Sequence, residues 1–398
     1  MERLLDITAR NEVLRDMAGL LDEQRTQILR ANQQDLEAYE GSDIAMKDRL
    51  KVDDEKISAM ILSLEQLGAM SDPLGVERFS ATHENGMQIS NRTAPFGTVM
   101  IIYESRPDVT VEAAGIAFKS GNKILLKGGK ESLRSNLVLI SLWHQALQNQ
   151  EISPDWIQYL QFNRSETRSF LEKPTQKLDL IVPRGGETLI NFVREHARCP
   201  VIVSGRGNNF LFVDKDADIP MAISLILNGK TTKISACNAL DKVLVHADLP
   251  NRPSFLKELI AQLEQHKVEV FADANCASYG NTAPIVDTEI WYREFLDRKI
   301  VLGEVSDLGE ALHMINTYGG GHSSVIVTRN NTTAEKFMEA ADTAAVYHNA
   351  STRFTDGGQF GLGGELAIST DKLHQRGPIG LQHLVTNKWF ITGNGQIR

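Results

Sequence analysis

The fold is indicated first by the stretch Thr98–Lys127, which reads TVMIIYESRPDVTVEAAGIAFKSGNKILLK. Its apolar and β-branched runs predict a strand at Thr98–Tyr103, a helix at Val109–Lys119 and a second strand at Lys123–Lys127. Two strands joined by a helix of this length run parallel in one sheet. The stretch therefore predicts an α/β fold.

The same alternation of strands and helices continues along the chain. A helix at Glu131–Leu147 is followed by strands at Leu178–Val182, Val201–Val203 and Phe210–Val213, with a helix at Leu189–His196. After Cys237 we predict strands at Lys242–His246, Val268–Phe271, Ile300–Val305, Ser324–Thr328 and Ala344–His348, and helices at Phe255–His266, Leu308–Tyr318 and Ala334–Ala341. The pattern predicts two doubly wound α/β domains.

Three segments lie outside this alternation. Residues before Pro73 have apolar positions at helical spacing, which predicts an amphipathic helical start. The dipeptide Asn85-Gly86 lies between extended runs and predicts a β-hairpin with a tight turn and positive φ at both residues. The Gly-rich stretch after Thr370 is more typical of an arm than of a packed helix.

The composition excludes several classes of protein. With 398 residues the chain is long enough for about two to three domains of ~150 residues. It carries 42 Lys and Arg against 51 Asp and Glu, a net charge of −9, so we expect no nucleic-acid partner. No stretch approaches the ~18 apolar residues of a membrane span and the start lacks a secretory leader, so we expect a cytoplasmic protein without a membrane partner.

The three cysteines, Cys199, Cys237 and Cys276, lack paired spacing, so neither a disulfide framework nor a zinc finger is predicted. The ten His residues form no ligand motif, and we predict no metal site. Cys237 follows Lys230 and Lys233, whose charges would favour a thiolate. From position alone a buried core cysteine is the commoner alternative to a nucleophile.

Three short motifs follow predicted strands and precede helices. An Arg and a hydroxyl in Ser105-Arg106-Pro107 could hold an anionic oxygen. The Gly pairs of Lys127-Gly128-Gly129 and Arg184-Gly185-Gly186 could bind phosphate at a helix N-terminus. Plain turns are the alternative for each motif. A P-loop is not predicted, because Gly229-Lys230-Thr231 has Ser224 where the leading Gly would stand.

Taken together, these stretches resemble the family of gamma-glutamyl phosphate reductases in the aldehyde dehydrogenase superfamily. The similarity is carried, in a consistent order, by Ile102–Thr110, Lys127–Glu131, Val182–Gly186, Asn349–Gly358, Phe360–Gly363, His374–Pro378 and Gly393–Arg398. Cys237-Asn238-Ala239 matches the Cys-Asn-Ala of that family. The resemblance therefore favours the catalytic interpretation of Cys237.

The resemblance implies an aldehyde dehydrogenase-like fold with three parts. A nicotinamide-cofactor-binding domain would comprise residues 1–73 and 96–206, and a catalytic domain with the nucleophilic Cys residues 207–373. Residues 74–95 and 374–398 would form an oligomerisation hairpin and a C-terminal arm, so a homo-oligomer is expected.

The resemblance also implies an activity, the NADPH-dependent reduction of L-glutamyl 5-phosphate to L-glutamate 5-semialdehyde with release of phosphate, in proline biosynthesis. Cys237 would form a thioester with the substrate. Ser105 and the backbone amide of Cys237 would stabilise the oxyanion. The substrate-binding residues would be Arg106, Asn349 and Arg353, of which the two arginines would clamp anionic groups of the substrate.

For the cofactor NADPH, the resemblance implies Lys127 on the ribose or its 2′-phosphate and Arg184, Gly185 and Gly186 near the pyrophosphate. Glu294, which precedes a Phe, would contact the nicotinamide ribose. Hydrolytic relatives use a glutamate to activate water, and the corresponding segment 201–209 contains no carboxylate, which suits an enzyme that protects its thioester.

Two segments depart from the family pattern. The family has Lys-Thr-His-Arg-Pro where this chain has Lys230-Thr231-Thr232-Lys233-Ile234, and Gly-x-Cys-His where it has Gly207-Asn208-Asn209-Phe210. These departures keep two alternatives open. One is a catalytically weak relative that acts as a scaffold partner, for instance of the preceding glutamate kinase, and the other is a reductase of another acyl phosphate.

Overall fold

The computed structural model of the chain describes residues 5–398, except for the side chains of residues 44 and 45. Over this range the chain divides into two compact units. The first unit comprises Met1–Val203, Gly361–Ala367 and Pro378–Arg398, and the second unit comprises Ser204–Phe360 and Ile368–Gly377. Helices and strands are numbered below in chain order.

The first unit begins with helices and continues with alternating strands and helices. Asp6 starts the first helix because its carboxylate accepts a hydrogen bond from the amide of Ala9. The elements before the second unit are α1 (Ile7–Glu23), α2 (Arg25–Glu37), α3 (Ile44–Leu50), α4 (Asp54–Ala69), β1 (Glu77–Thr82), β2 (Gln88–Pro95), β3 (Thr98–Tyr103), α5 (Pro107–Lys119), β4 (Lys123–Lys127), α6 (Leu133–Asn149), β5 (Ile157–Tyr159), α7 (Arg164–Glu172), β6 (Leu180–Arg184) and α8 (Glu187–His196).

The first sheet has the strand order β5-β4-β3-β6, and all its strands are parallel. The strands β3 and β4 have the predicted bounds, and the helix between them begins at Pro107, two residues before the predicted start. Trp143 of α6 is fully buried in the core beside this sheet. Among residues 5–398, no helix has the length and apolar character that crossing a membrane requires.

The second unit is also built of alternating strands and helices, and it has the larger sheet, with seven strands. Its elements are β7 (Asn209–Val213), α9 (Ile219–Thr231), β8 (Leu240–His246), α10 (Arg252–Gln265), β9 (Glu269–Ala272), β10 (Ala283–Pro284), α11 (Glu289–Tyr292), β11 (Lys299–Val305), α12 (Leu308–Tyr318), β12 (Ser323–Val327), α13 (Asn331–Ala340), β13 (Ala345–His348) and β14 (Ile368–Ser369). The second sheet has the order β10-β9-β11-β8-β7-β12-β13, with parallel pairing throughout.

The chain ends with β15 (Gly377–Pro378) and β16 (Val385–Thr392). The predicted arm is extended, because β16 pairs antiparallel with β2, which also pairs with β1. The predicted tight turn is wrong. The hairpin loop spans residues 83–87, the amide of His83 donates to the carbonyl of Met87 at 2.8 Å, and within this loop Gly86 has positive φ but Asn85 does not.

Other predictions need correction. Val201–Val203 is not a strand, because Val201 makes an isolated bridge to Ile181. Phe210–Val213 is a strand of the second sheet and lies within the bounds 207–373 predicted for the catalytic domain. The structural division falls after Val203, assigns the hairpin to the first unit and returns Gly361–Ala367 to it. The roles predicted for the domains stay predictions.

Candidate active site

The three motifs of the first unit lie along one edge of its sheet. Ser105-Arg106 follows β3, Lys127 ends β4 and Arg184 ends β6. Because these strands are parallel neighbours, their carboxyl ends meet at one edge, where α/β sheets bind ligands. Ser105 is buried, and its hydroxyl donates to Glu131 Oε2 at 2.8 Å. The hydroxyl proton of Ser105 is therefore already bonded to Glu131, and the role of Ser105 in stabilising an oxyanion stays a prediction.

Arg106 precedes the first turn of α5. Burial lowers the pKa of its guanidinium, and the charge of the neighbouring Arg184 lowers it further. Arg184 itself lies 3.6 Å from Glu112 and donates to the carbonyls of Glu365 and Leu366. The guanidinium of Arg106 has no hydrogen-bond partner in the part of the chain that the structure describes. Arg106 is thus the better anion ligand of the two arginines.

The N-terminus of α8 already holds a carboxylate. The amide of Gly186 donates to Glu104 Oε1 at 3.0 Å, and a Cβ on Gly185 would meet the Glu104 side chain. A pyrophosphate could use this amide only if the Glu104 side chain moved. Lys127 is half-buried, burial lowers its pKa, and its Nζ donates to the carbonyl of Gly128 at 3.0 Å.

A groove of about 780 Å³ lies between α7 and α8. Arg164 lies over the ring of Phe192, 5.3 Å from its centroid, and both residues line the groove. This groove was not predicted from the sequence, because α7 was not predicted. Its lining residues are Arg164, Ser165, Arg168, Thr188, Asn191, Phe192, Glu195 and His196.

In the second unit Cys237 is exposed on a turn that precedes β8. The buried amide of Asn209 holds this turn by donating to the carbonyls of Cys237 at 2.7 Å and Ala239 at 2.6 Å. Gly207 packs against the carbonyl of Cys237 so closely that a Cβ would overlap the backbone. The segment that departs from the family pattern thus fixes the position of the turn that carries Cys237, the predicted nucleophile.

Asn238 joins the same turn to the segment after β13. Its Nδ2 donates to the carbonyls of Arg353 at 3.2 Å and Thr355 at 3.0 Å. In return, the hydroxyl of Thr352 donates to the carbonyl of Asn238 at 2.7 Å. Asn238 therefore connects the turn of Cys237, the predicted nucleophile, to the segment with the predicted substrate arginine.

Arg353 supplies a cation close to Cys237. Its Nε and Nη1 are buried and have no hydrogen-bond partner among residues 5–398. Burial lowers the pKa of Arg353, and the charge of a Cys237 thiolate opposes this shift. A guanidinium with two unsatisfied donors is suited to a bidentate contact with phosphate or carboxylate.

Lys230 does not play the part that the sequence predicts. Its ammonium is fully buried and lies 2.7 Å from Asp241 Oδ1, so its charge is already compensated. Lys233 is exposed on the turn. Of the other cysteines, Cys276 is buried, and burial raises the pKa of Cys199 to about 11. Neither is placed like the exposed Cys237.

Arg353, and not Lys230, is therefore the cation that acts on Cys237, the predicted nucleophile.

Asn349 has a left-handed backbone conformation, with φ of 56°, directly after β13. Its Oδ1 accepts from the amide of Thr328 at 3.0 Å, and its Nδ2 donates to the carbonyl of Thr328 at 2.9 Å. Both ends of the side chain are thus used within the fold. Its contact with substrate stays a prediction that this geometry does not support.

Glu294 comes close to the nucleophile turn through a long-range contact. Its Oε1 accepts a hydrogen bond from the amide of Gly207 at 3.0 Å. Burial raises the pKa of Glu294 to about 7. No local sequence signal links these residues. The segment 201–209 lacks a carboxylate of its own, but the fold brings one to it.

These groups share one edge of the second sheet. Gly207 precedes β7, Cys237 precedes β8 and Glu294 precedes β11, and the three strands are parallel neighbours. This amino edge is formed by the amino-terminal ends of the strands, whereas the motifs of the first unit lie at the carboxyl-terminal ends of theirs.

A chain of hydrogen-bonded side chains, a histidine and three hydroxyl groups, lies beside the same site and was not predicted from the sequence. His322 Nδ1 lies 2.8 Å from Ser323 Oγ, which lies 2.7 Å from Thr355 Oγ1, and the latter lies 2.7 Å from Tyr347 Oη. Burial lowers the pKa of His322 to about 4, so its ring is neutral near pH 7. The chain supports Thr355, whose carbonyl accepts from Asn238.

Comparison with known proteins shows the family to which the chain belongs. The model of the aldehyde dehydrogenase family matches residues 3–280. The gamma-glutamyl phosphate reductases of Shewanella denitrificans and Enterococcus faecalis are each 40% identical over 397 residues, covering 99% of this chain and 94% and 95% of theirs. The crystal structure of the gamma-glutamyl phosphate reductase of Thermotoga maritima has a TM-score of 0.94 and 39% identity, covering 100% of this chain and 96% of that one. These relatives favour a reductase over the scaffold alternative.

Proposed function

Because the chain belongs to the gamma-glutamyl phosphate reductases of the aldehyde dehydrogenase family, we propose that it reduces L-glutamyl 5-phosphate to L-glutamate 5-semialdehyde in proline biosynthesis. The observation that carries the site assignment is the pair formed by Cys237 and Arg353. An exposed sulfur lies next to a guanidinium with two buried nitrogens that have no partner among the described residues. This pair suits a nucleophile that attacks an anionic acyl donor.

The first step is acyl transfer to Cys237. The thiolate Sγ attacks the acyl carbon, a C–S bond forms, and the bond from that carbon to the phosphate oxygen breaks. Phosphate leaves with the electron pair, and a thioester remains on the enzyme. Arg353 offers its free Nε and Nη1 to an anionic group of the substrate. Asn209 and Asn238 keep the turn in place while the sulfur reacts.

Members of this family use a nicotinamide dinucleotide, which supplies the hydride to the thioester carbon when it is bound. After the reduction, Cys237 Sγ leaves again as a thiolate and the aldehyde is released. In the first unit, Lys127 and the groove between α7 and α8 fit the dinucleotide, because they offer a cation and an aromatic ring. We assign the phosphorylated form, NADPH, because Arg164 could bind a 2′-phosphate at this groove.

The proposal extends to the localisation and the oligomeric state of the enzyme. We propose a cytoplasmic homo-oligomer. The sheet of β1, β2 and β16 supports association of two copies, since it exposes the apolar side chains of Phe79, Trp389, Phe390 and Ile391. Association with the preceding glutamate kinase stays a prediction.

The decisive experiment runs the reaction backwards. The purified protein should reduce NADP⁺ in the presence of glutamate 5-semialdehyde and inorganic phosphate, and the rate should depend on phosphate. Cys237→Ala should abolish this rate and Cys199→Ala should retain it, because the Cys199 thiol is largely protonated near pH 7. Equal rates for the wild type and Cys237→Ala would refute the assignment. Intact-mass analysis with L-glutamyl 5-phosphate and no dinucleotide should show a glutamyl adduct on the wild type.

The cofactor assignment has its own test. Arg164→Met should raise the KM for NADPH by about tenfold and leave the KM for NADH unchanged, because a charged hydrogen bond to the 2′-phosphate is lost. Arg194→Met is the matched control, since Arg194 is exposed on α8 and does not line the groove. A parallel loss for both cofactors would contradict the contact with the 2′-phosphate.

A further inference from the structure

Two charged side chains at the start of β8 have no part in the mechanism above, although both are buried. Asp241 Oδ2 accepts a hydrogen bond from the amide of Phe295 at 2.8 Å. Lys242 Nζ donates to the carbonyl of Arg293 at 2.7 Å. Consecutive side chains of one strand thus hold the two residues that flank Glu294.

The charges of this pair are compensated unequally. Asp241 also pairs with the buried ammonium of Lys230 at 2.7 Å. Lys242 has no carboxylate within ion-pair distance among the described residues, and its Nζ lies over the ring of Phe295, 4.3 Å from the centroid. Burial lowers the pKa of Lys242 to about 7. Burying an ammonium group without a carboxylate partner costs free energy, so stability alone does not explain a lysine at this position.

The contacts form a closed circuit around the nucleophile. Cys237 is followed, after three residues, by Asp241 and Lys242, which hold the segment that carries Glu294. Glu294 accepts from the amide of Gly207, and Gly207 packs against the carbonyl of Cys237. A displacement of Glu294 would therefore break the link between its carboxylate and the segment behind the nucleophile.

We propose that Asp241 and Lys242 are positioning residues of the reductase, which hold the Glu294 carboxylate in register with the Cys237 turn and ready for the dinucleotide. The proposal rests on the proposed function and deepens it. It assigns the buried lysine to the cofactor contact of Glu294, whereas Asn209 and Asn238 hold the Cys237 turn and Arg353 supplies the charge beside the thiol.

The test compares Lys242→Met, which keeps the length of the side chain and removes its charge, with Lys336→Met, which removes an exposed charge from α13. The readouts are NADPH affinity by calorimetry and the rate of Cys237 alkylation by iodoacetamide, and neither needs turnover. We expect Lys242→Met to weaken NADPH binding by about tenfold while alkylation changes by less than about twofold. We expect Lys336→Met to change neither.

Two results for Lys242→Met in the wild-type background would overturn the proposal. One is an NADPH affinity that Lys242→Met leaves unchanged. The other is a parallel fall in affinity, alkylation rate and Tm, which would indicate a structural role only. In a Glu294→Gln background, Lys242→Met should weaken NADPH binding by less than about twofold, because both substitutions remove the same contact. Losses that simply add would likewise contradict it.

A second pair of variants keeps the test independent of how Lys242→Met folds. Asp241→Asn retains an oxygen for the amide of Phe295, whereas Asp241→Ala does not. We expect Asp241→Asn to bind NADPH more tightly than Asp241→Ala, and the reverse order overturns the proposal. A wild-type protein that forms no glutamyl thioester would refute the proposed function, but it would leave these NADPH affinities to decide the positioning role by themselves.

Discussion

The two units place their candidate binding groups at opposite edges of parallel sheets. In the first unit Ser105-Arg106, Lys127 and Arg184 stand at the carboxyl ends of strands, where a strand followed by a helix creates a binding edge. In the second unit Cys237 and Glu294 stand before their strands, and long-range hydrogen bonds hold them. The first site follows a general rule of the fold, whereas the second depends on hydrogen bonds between residues far apart in the sequence. We therefore expect substitutions at the second edge to be the more damaging.

The largest effect is expected from Gly207→Ala. The added Cβ would meet the backbone carbonyl of Cys237, which cannot yield without displacing the nucleophile turn. A misplacement of about 1 Å at reacting atoms costs on the order of 10²-fold, and we expect kcat to fall at least that far. Steady-state rates of the reverse reaction measure it.

The control for this substitution is Gly19→Ala in α1, where an added Cβ has nothing within 4 Å. Alanine is the better helix former, so activity should persist and Tm should rise slightly. A Gly207→Ala enzyme with normal kcat would mean that the amino edge is not rigid.

Arg353→Lys should have the next largest effect. Lysine keeps the charge but loses the fork of donors, so kcat/KM for L-glutamyl 5-phosphate should fall by about 10- to 100-fold. The dissociation constant of NADPH should stay unchanged. A loss in NADPH affinity of the same size would show that Arg353 does not act on the substrate.

The pH dependence of cofactor binding should be smaller, at most about tenfold between pH 6 and pH 8. Burial raises the pKa of Glu294 from 4.5 to about 7, against the opposing charges of Arg206 and Lys242 and alongside that of Asp241. If the ionised carboxylate binds a ribose hydroxyl, NADPH affinity rises with pH through 7. Calorimetry on the wild type should show this rise and Glu294→Gln should abolish it. A rise that persists in Glu294→Gln would assign the titration to another group.

The same shift has a consequence for stability. Since the pKa of Glu294 is higher in the folded state, the folded protein binds more protons between pH 4.5 and 7. The contribution of Glu294 to the free energy of unfolding is therefore largest below pH 4.5 and is lost as the pH rises through about 7. Denaturant titrations across this range should show a flatter profile for Glu294→Gln than for the wild type.

The smallest effect is expected from Gly185→Ala at the carboxyl edge. The added Cβ would meet the Glu104 side chain, which can rotate away. We expect a change of about two- to threefold in the KM for NADPH and none in kcat. A loss as large as that of Gly207→Ala would remove the difference between the two edges.

The parts of the fold that local pattern determines could be predicted from the sequence. The strands β3 and β4 were predicted with their bounds, because an apolar run between turn residues is a local signal. The helix α7 was missed because its sequence, RSETRSFLE, has few apolar residues to mark a buried face. The hairpin was predicted, but the length of its loop depends on pairing that the dipeptide alone does not specify.

The candidate site was predictable only in part, for the same reason. The family motif identified Cys237, and the structure adds a cation beside it. Lys230 is near in sequence, but it faces Asp241 once helix α9 and strand β8 pack together. The contact of Glu294 with Gly207 joins residues 87 positions apart, and no spacing rule reveals such a pair. Cys237 could therefore be proposed as the nucleophile from the sequence, but the side chains that hold its turn could not, and its catalytic role stays a prediction.

The carboxylate of Glu104 at the amide of Gly186 has a consequence for how fast ligands come and go. A phosphate group that arrives at this helix end exchanges with an internal anion, so the gain in free energy is only the difference between two similar bonds. When the phosphate leaves, the Glu104 carboxylate can bind the amide of Gly186 again, so the N-terminus of α8 keeps an anionic partner. If the dinucleotide binds here through its pyrophosphate, as the sequence predicts, the Glu104 carboxylate lowers the affinity of this helix end for it and favours rapid release after each turnover.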